Sequence, residues 1–203
     1  MTLICTNAAG SKYKKGAFDM EYEMEIAGLK RRLPLFSISE DTCIAAFIMF
    51  GDVEITKAAA RELLIRAPEF DILFTAEAKS IPLVYEMARQ AGMNRFVIAR
   101  KTPKLYMKDI IRSDFGSITT PGSQALCIGS DDAELLKGKR VLIVDDVTST
   151  GESLMTMEYL VKEAGGIIVA KMSVLAEGDS MERNDIITLE KLPLFNSDGT
   201  VKK

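Results

Sequence analysis

Short apolar runs alternate with helical patterns along this chain, and that alternation constrains its fold more than any other feature. Ile72–Thr75, Phe96–Ala99 and Val141–Val144 lack the in–out alternation of a half-exposed strand, so they read as strands covered on both faces. Asp52 caps a helix that runs to about Arg66 and ends before Pro68. Ser80 caps a second helix, with Pro82 in its first turn and its end near Gly92. A third spans 152–164, where Leu154, Met157, Leu160 and Val161 share one face, and Ile167–Leu175 follows as another strand. Strands and helices in this order predict an α/β fold: a mainly parallel sheet flanked by helices and joined by right-handed crossovers. The 203 residues fit one domain with a core large enough to need no disulfide or metal.

The rest of the chain departs from that rhythm. Residues 1–20 read as a flexible arm and 197–203 as a tail. Glu21–Ile26 alternates polar and apolar residues like a half-buried strand, and Leu33–Ile38 is extended, with Pro34 confining it to an edge or bulge. Ile44–Phe50 fits either element. The polar stretch Lys101–Gly122 exceeds an ordinary connection, the length at which loops act as lids.

Composition excludes several chemistries. There is no histidine, which removes Ser-His-Asp and Cys-His catalysis and every His-ligated metal site. Cys5, Cys43 and Cys127 are odd in number and widely spaced, which argues against a disulfide framework or zinc site and for a reducing compartment. A net charge of −3 gives no general attraction to nucleic acid or an anionic membrane. With no signal-peptide pattern and no apolar run of spanning length, the expectation is a soluble, cytoplasmic protein.

Chemistry concentrates in Val141–Ser153, VLIVDDVTSTGES. A buried strand leads into Asp145-Asp146, then into Val147-Thr148-Ser149-Thr150-Gly151 and a helix. Such a loop turns backbone N–H groups inward, the helix N-terminus adds donors and positive dipole, and Thr148, Ser149, Thr150 and Ser153 add hydroxyls. That set suits a phosphate dianion. The two acids would repel phosphate, so they face sugar hydroxyls or a cation. A plain capped turn has no need of paired acids and four hydroxyls. A response-regulator acid pair would stand near the start of its domain, and a Walker loop would need GxxxxGK[ST], which is absent.

The segment resembles the motif by which type I phosphoribosyltransferases bind 5-phosphoribosyl 1-diphosphate (PRPP). The resemblance implies that fold, with a small base-binding hood built here from about 21–50 and 185–195 on a domain spanning 21–196. It implies that Asp145 and Asp146 contact the ribose hydroxyls and take part in catalysis, and that Val147–Gly151 with Ser153 hold the 5′-phosphate. Glu77-Ala78-Lys79-Ser80 resembles the diphosphate loop of purine enzymes, and Arg100, Lys101 and Lys104 resemble their cationic clamp on the leaving group. Mg²⁺ would be held mainly by PRPP, with no dedicated protein metal site. The family's active form implies a homodimer.

The whole pattern, from IAGLKRRLPLF through ARKTPKLYM to LPLF, looks most like proteins related to adenine phosphoribosyltransferase. Ser149 stands where hypoxanthine-guanine enzymes carry an acid. The adenine enzymes carry a hood-loop glutamate, whereas Lys101–Gly122 offers only Asp109 and Asp114, of which Asp114 is the catalytic candidate. Leu35 and Phe36 are apolar candidates to pack on the base. The resemblance implies conversion of a purine, adenine favoured, and PRPP to a nucleoside 5′-monophosphate. A xanthine/guanine-type enzyme and a non-catalytic PRPP sensor of the same fold stay open.

Overall fold

The structure is a computed structural model that describes residues 5–6, 12–13, 20–113 and 125–202. In chain order the elements are β1 (Cys5–Thr6), β2 (Lys12–Tyr13), β3 (Glu21–Ile26), β4 (Leu29–Ser37), β5 (Thr42–Ala45), α1 (Val53–Arg66), β6 (Ile72–Ala76), α2 (Ile81–Gln90), β7 (Val97–Ala99), β8 (Ile111–Ser113), β9 (Leu126–Ile128), α3 (Ser130–Leu136), β10 (Arg140–Thr148), α4 (Glu152–Glu163), β11 (Ile167–Glu177), a 3₁₀ turn (Gly178–Glu182), β12 (Ile187–Leu192) and β13 (Phe195–Asn196). Within the stretch expected as an arm, β1 and β2 pair antiparallel.

The main sheet is parallel throughout, in the order β12-β11-β10-β6-β7. Its central strand explains why Val141–Val144 is continuously apolar. Leu142 and Val144 enter the core shared with α1, α2 and the hood, while Val141 and Ile143 enter the core shared with α4. Each side chain, fully withdrawn from water, contributes about 1.5–3 kcal/mol, and alternate residues serve opposite layers.

A second, antiparallel sheet, β13-β5-β4-β3, forms the hood. Pro34 does not lie at an edge, because β4 is internal to this sheet. It stands where β4 exchanges partners: Glu21↔Pro34 is the last pair with β3, and Leu35↔Ala45 the first with β5. A missing N–H is tolerated at such a break, while the Pro34 carbonyl still accepts from Ala46 N at 2.9 Å. The stretch 185–195, expected wholly in the hood, divides. Ile187–Leu192 closes the main sheet beside β11, and only Phe195 and Asn196 join the hood, against β5. The expected tail folds back, with Lys202 N donating to the Leu194 carbonyl at 2.7 Å and Val201 bridging Phe195.

Hood and main layer are joined through Arg31. Its Nε donates to Asp52 Oδ2 at 2.7 Å and its Nη2 to Glu54 Oε2 at 2.8 Å. Asp52 also caps α1 as expected, Oδ1 accepting from Ile55 N at 3.0 Å. The guanidinium holds the Asp52 carboxyl below its ordinary range.

Candidate active site

Every chemically distinctive residue from the sequence that falls within the described residues lies at the carboxyl ends of the parallel strands or in the loops after them, apart from the base candidates, which are in the hood. This is the rim at which open α/β sheets bind ligands. β10 runs further than its apolar run implies, to Thr148, so Asp145, Asp146, Val147 and Thr148 are strand residues paired along β11 and not loop residues. The turn that follows is Ser149-Thr150-Gly151, and α4 begins at Glu152. Gly151 lies at φ +82°, a left-handed conformation that an L side chain enters at a cost of about 1–2 kcal/mol.

A cavity of about 50 Å³ opens inside this turn, lined by Asp145, Val147, Thr148, Ser149, Thr150, Gly151, Ser153 and Leu154. Seven of those eight are residues singled out for PRPP. Asp146 does not line it. The Thr148 hydroxyl is buried without a partner among the described residues, as is Asp146 Oδ2. Buried polar atoms are normally satisfied, so unmet ones beside a cavity mark where a ligand bonds. Glu152 is exposed at the first turn of α4, away from the lining.

The acid pair is joined to the loop after β6. Ser80 Oγ donates to Asp145 Oδ1 at 2.7 Å and accepts from Asp146 N at 2.9 Å. The expected side-chain cap on α2 is therefore not made, because the buried hydroxyl is committed to the acids instead. Burial pushes Asp145 up to about 7, the adjacent Asp146 carboxylate adds to the shift, and the Ser80 hydrogen bond opposes it. With Asp146 Oδ2 unsatisfied, the pair offers the one or two carboxylates that Mg²⁺ takes when phosphates supply its other ligands. The residues fit such an ion arriving with its substrate.

On the far side of β10 from β11, the cations differ in their availability. Arg100 Nη1 is paired with Glu77 Oε1 at 2.8 Å, and Glu77 Oε2 accepts from Lys101 N at 2.9 Å. The Lys101 N–H, then Arg100, hold Glu77 below the ordinary carboxylate range. Glu77, expected among the diphosphate ligands, is occupied with these two residues, and its carboxylate would repel an anion. The peptide between Glu77 and Ala78 is cis. Lys79 and Lys101 are exposed and make no ion pair among the described residues, while Lys104 Nζ reaches only Thr102 Oγ1 at 3.3 Å. Arg100 is further fixed by backbone bonds to Cys127 in both directions at 2.8 Å.

One expectation changes at the base. Leu35 is 2% exposed and packs in the hood core with Phe195, so it is unavailable to a ligand. Phe36 takes the opposite face of β4 and is half-buried. Asp114 lies outside the described residues. A feature missed from sequence is the 3₁₀ turn after β11, which braces the phosphate turn from beneath: Ser180 Oγ donates to the Ser149 carbonyl, and Arg183, held by Asp185 at 2.7 and 2.9 Å, lies against Gly151. Its signal was legible in Glu177-Gly178-Asp179-Ser180, a second run of acid, glycine and hydroxyl after an apolar strand.

Residues 53–192 match the family model described as "Phosphoribosyl transferase domain". The chain belongs to the phosphoribosyltransferase family. Among its relatives, adenine phosphoribosyltransferase of Thermotoga petrophila is 34% identical over 131 residues, 62% of this chain and 74% of that one. Orotate phosphoribosyltransferase of Rhodopseudomonas palustris is 30% identical over 115 residues, 55% of this chain and 54% of that one. The crystal structure of adenine phosphoribosyltransferase from Thermoanaerobacter pseudethanolicus shares the fold, with a TM-score of 0.58 at 22% identity over 85% of this chain and 95% of that one. The phosphoribosyltransferase fold anticipated from Val141–Ser153 is thus the fold observed.

Proposed function

We propose that this phosphoribosyltransferase converts a purine, adenine favoured, and PRPP to the nucleoside 5′-monophosphate and diphosphate. The observation that carries the reading is the bond between Ser80 and Asp145, which joins a phosphate turn to a cationic rim. A ligand with a phosphate at one end, a diol in the middle and a diphosphate at the other matches that order. In the reaction, a ring nitrogen of the base bonds to ribose C1′, the C1′–O bond breaks, diphosphate leaves with the electron pair, and the base gives up its N–H proton.

Each group has a task in this scheme. The Ser149–Gly151 turn, the Thr148 and Ser153 hydroxyls and the start of α4 hold the 5′-phosphate. Asp145 and Asp146 accept from the ribose hydroxyls and fix C1′. Lys79, Arg100, Lys101 and Lys104 stabilise charge as it gathers on the leaving diphosphate, where preorganised cations act most strongly. Mg²⁺, when bound, neutralises diphosphate oxygens. Phe36 packs on the base, and Asp114 serves as the hood-loop carboxylate. A hood made from 21–50 and Phe195–Asn196, a homodimer and a cytoplasmic setting belong to the same proposal.

Support for adenine comes from the relatives, while Ser149 in the phosphate turn, where an acid would mark the hypoxanthine-guanine type, fits adenine and xanthine types alike. The test incubates the full chain with PRPP, Mg²⁺ and, in turn, adenine, guanine, hypoxanthine, xanthine, uracil and orotate, and identifies the nucleotide formed. AMP as the main product supports the proposal. PRPP binding with no nucleotide from any base overturns it in favour of a sensor, and orotidylate as the main product overturns the purine assignment.

A further inference from the structure

Strand alternation divides the run Lys30-Arg31-Arg32. Lys30 and Arg32 are exposed and pair with Glu23 of the neighbouring β3. Arg31 takes the inner face of β4, the face on which Leu33 and Leu35 enter the shared core. Its guanidinium reaches across to the main layer. Nε donates to Asp52 Oδ2 at 2.7 Å, and Nη2 donates to Asp52 Oδ1 at 3.1 Å and to Glu54 Oε2 at 2.8 Å. Nη1 donates to the Lys30 carbonyl at 2.9 Å. Every guanidinium nitrogen is engaged, and a fork on a carboxylate fixes direction as well as distance.

The apolar part of the junction supplies no such direction. Ile26, Leu33 and Leu35 share one core with residues of α1, α2 and the main sheet, and apolar packing is non-directional. Beyond Ile26 the hairpin tip stands off. A groove of about 510 Å³ lies between Ala27, Gly28 and Leu29 on the hood and Glu54, Lys57 and Arg61 on α1. Arg31 grips Glu54 at the wall of that groove, so its fork ties the hood to α1 where packing leaves room for it to tilt.

We propose that Arg31 is a positioning residue for base binding: its fork on Asp52 and Glu54 holds the hood at the angle at which the purine is received. Phe36, the side chain proposed to pack on the base, follows on the same strand, so a tilt of β4 at the junction carries Phe36 with it. A protein that holds its competent arrangement only part of the time binds more weakly by that fraction, while the loaded enzyme turns over as before. Loss of the fork therefore weakens binding of the base. It spares the phosphate turn, whose brace comes from the 3₁₀ turn and not from the hood.

The inference rests on the reading that a purine is received under the hood, and its test separates the two. With the full chain, kcat and KM for adenine are measured at saturating PRPP and Mg²⁺, alongside the PRPP dissociation constant, for the native protein, Arg31→Met, Arg31→Lys and Glu54→Gln. Arg31→Met raises adenine KM by about tenfold or more, with kcat within about twofold and PRPP affinity within about threefold. Arg31→Lys recovers part of the loss, because an ammonium reaches one carboxylate and cannot fork. Raising KCl from about 0.05 to about 0.5 M screens the pairs, so KM rises in the native protein and stays level in Arg31→Met. Should Arg31→Met fail to fold, Glu54→Gln decides, with a rise of about two- to fivefold from breaking one exposed arm. An unchanged KM in a folded variant, or a loss of PRPP affinity as large as the rise in KM, overturns the inference while the enzyme reading stands. No nucleotide from the native protein overturns the parent reading instead.

Discussion

Ser80→Ala removes one buried hydroxyl that stands between the two halves of the proposed PRPP site. Ser80 Oγ donates to Asp145 at 2.7 Å and accepts from Asp146 N at 2.9 Å. Asp146 N keeps a partner, since it also donates to Asp145 Oδ1 at 2.9 Å, so the loss falls chiefly on Asp145. A hydrogen bond to a charged group contributes about 1.5–3 kcal/mol, which corresponds to about 10- to 100-fold in PRPP affinity. The pH dependence is the sharper readout. Asp145 must be ionised to accept from the ribose, and burial beside Asp146 already raises it to about 7. In the native protein affinity therefore falls as pH drops through about 7. Ser80 favours the ionised form, so without it the fall begins at higher pH. Titration calorimetry with PRPP and Mg²⁺ from pH 5.5 to 9 measures both effects. Equal affinity and an unmoved pH limb in a folded Ser80→Ala protein refute the assignment of Asp145 as an ionised ribose ligand.

Three further outcomes follow from the same geometry. A carboxyl whose titration is raised by folding stabilises fully below its unfolded value and loses that contribution as pH rises through its folded value. Asp145→Asn therefore raises the melting temperature of the ligand-free protein at pH 8 more than at pH 5, while weakening PRPP binding; a lower melting temperature at pH 8 contradicts this. Gly151→Ala costs about 1–2 kcal/mol from its left-handed backbone alone. Its Cβ would also meet Arg183 Nη1, so PRPP affinity drops with stability, whereas unaltered affinity means the turn does not hold the 5′-phosphate. In the hood, Leu35→Ala destabilises by about 2–5 kcal/mol as a core truncation without a specific change in purine KM. Phe36→Ala does the reverse, raising purine KM with little change in melting temperature; an unchanged KM removes Phe36 from the base site.

The parallel sheet and the phosphate turn were legible because they are local. Val141–Val144 shows burial on both faces in four residues, and the acids, hydroxyls and glycine that follow are contiguous. What escaped the sequence depends on contacts between distant segments. Ser80 looks like a helix cap, and only the approach of β10 to the loop after β6 gives its hydroxyl to Asp145, 65 positions away. Arg100, Lys101 and Lys104 read alike as cations, yet Glu77 neutralises Arg100, while Lys101 and Lys104 make no ion pair among the described residues. Apolar pattern alone cannot separate Leu35 from Phe36, because strand alternation sends adjacent residues to opposite faces. It cannot tell that Ile187–Leu192 completes the main sheet either, since a short strand of mixed apolar and polar residues suits both sheets.

The most direct measurement of the central claim is diphosphate release from PRPP with adenine and Mg²⁺, compared between the native chain and Asp145→Asn with Asp146→Asn. The account predicts stoichiometric diphosphate and AMP from the native protein, and loss of both from a variant that is folded and melts no lower. Adenine-independent diphosphate release, or equal turnover by the variant, contradicts it.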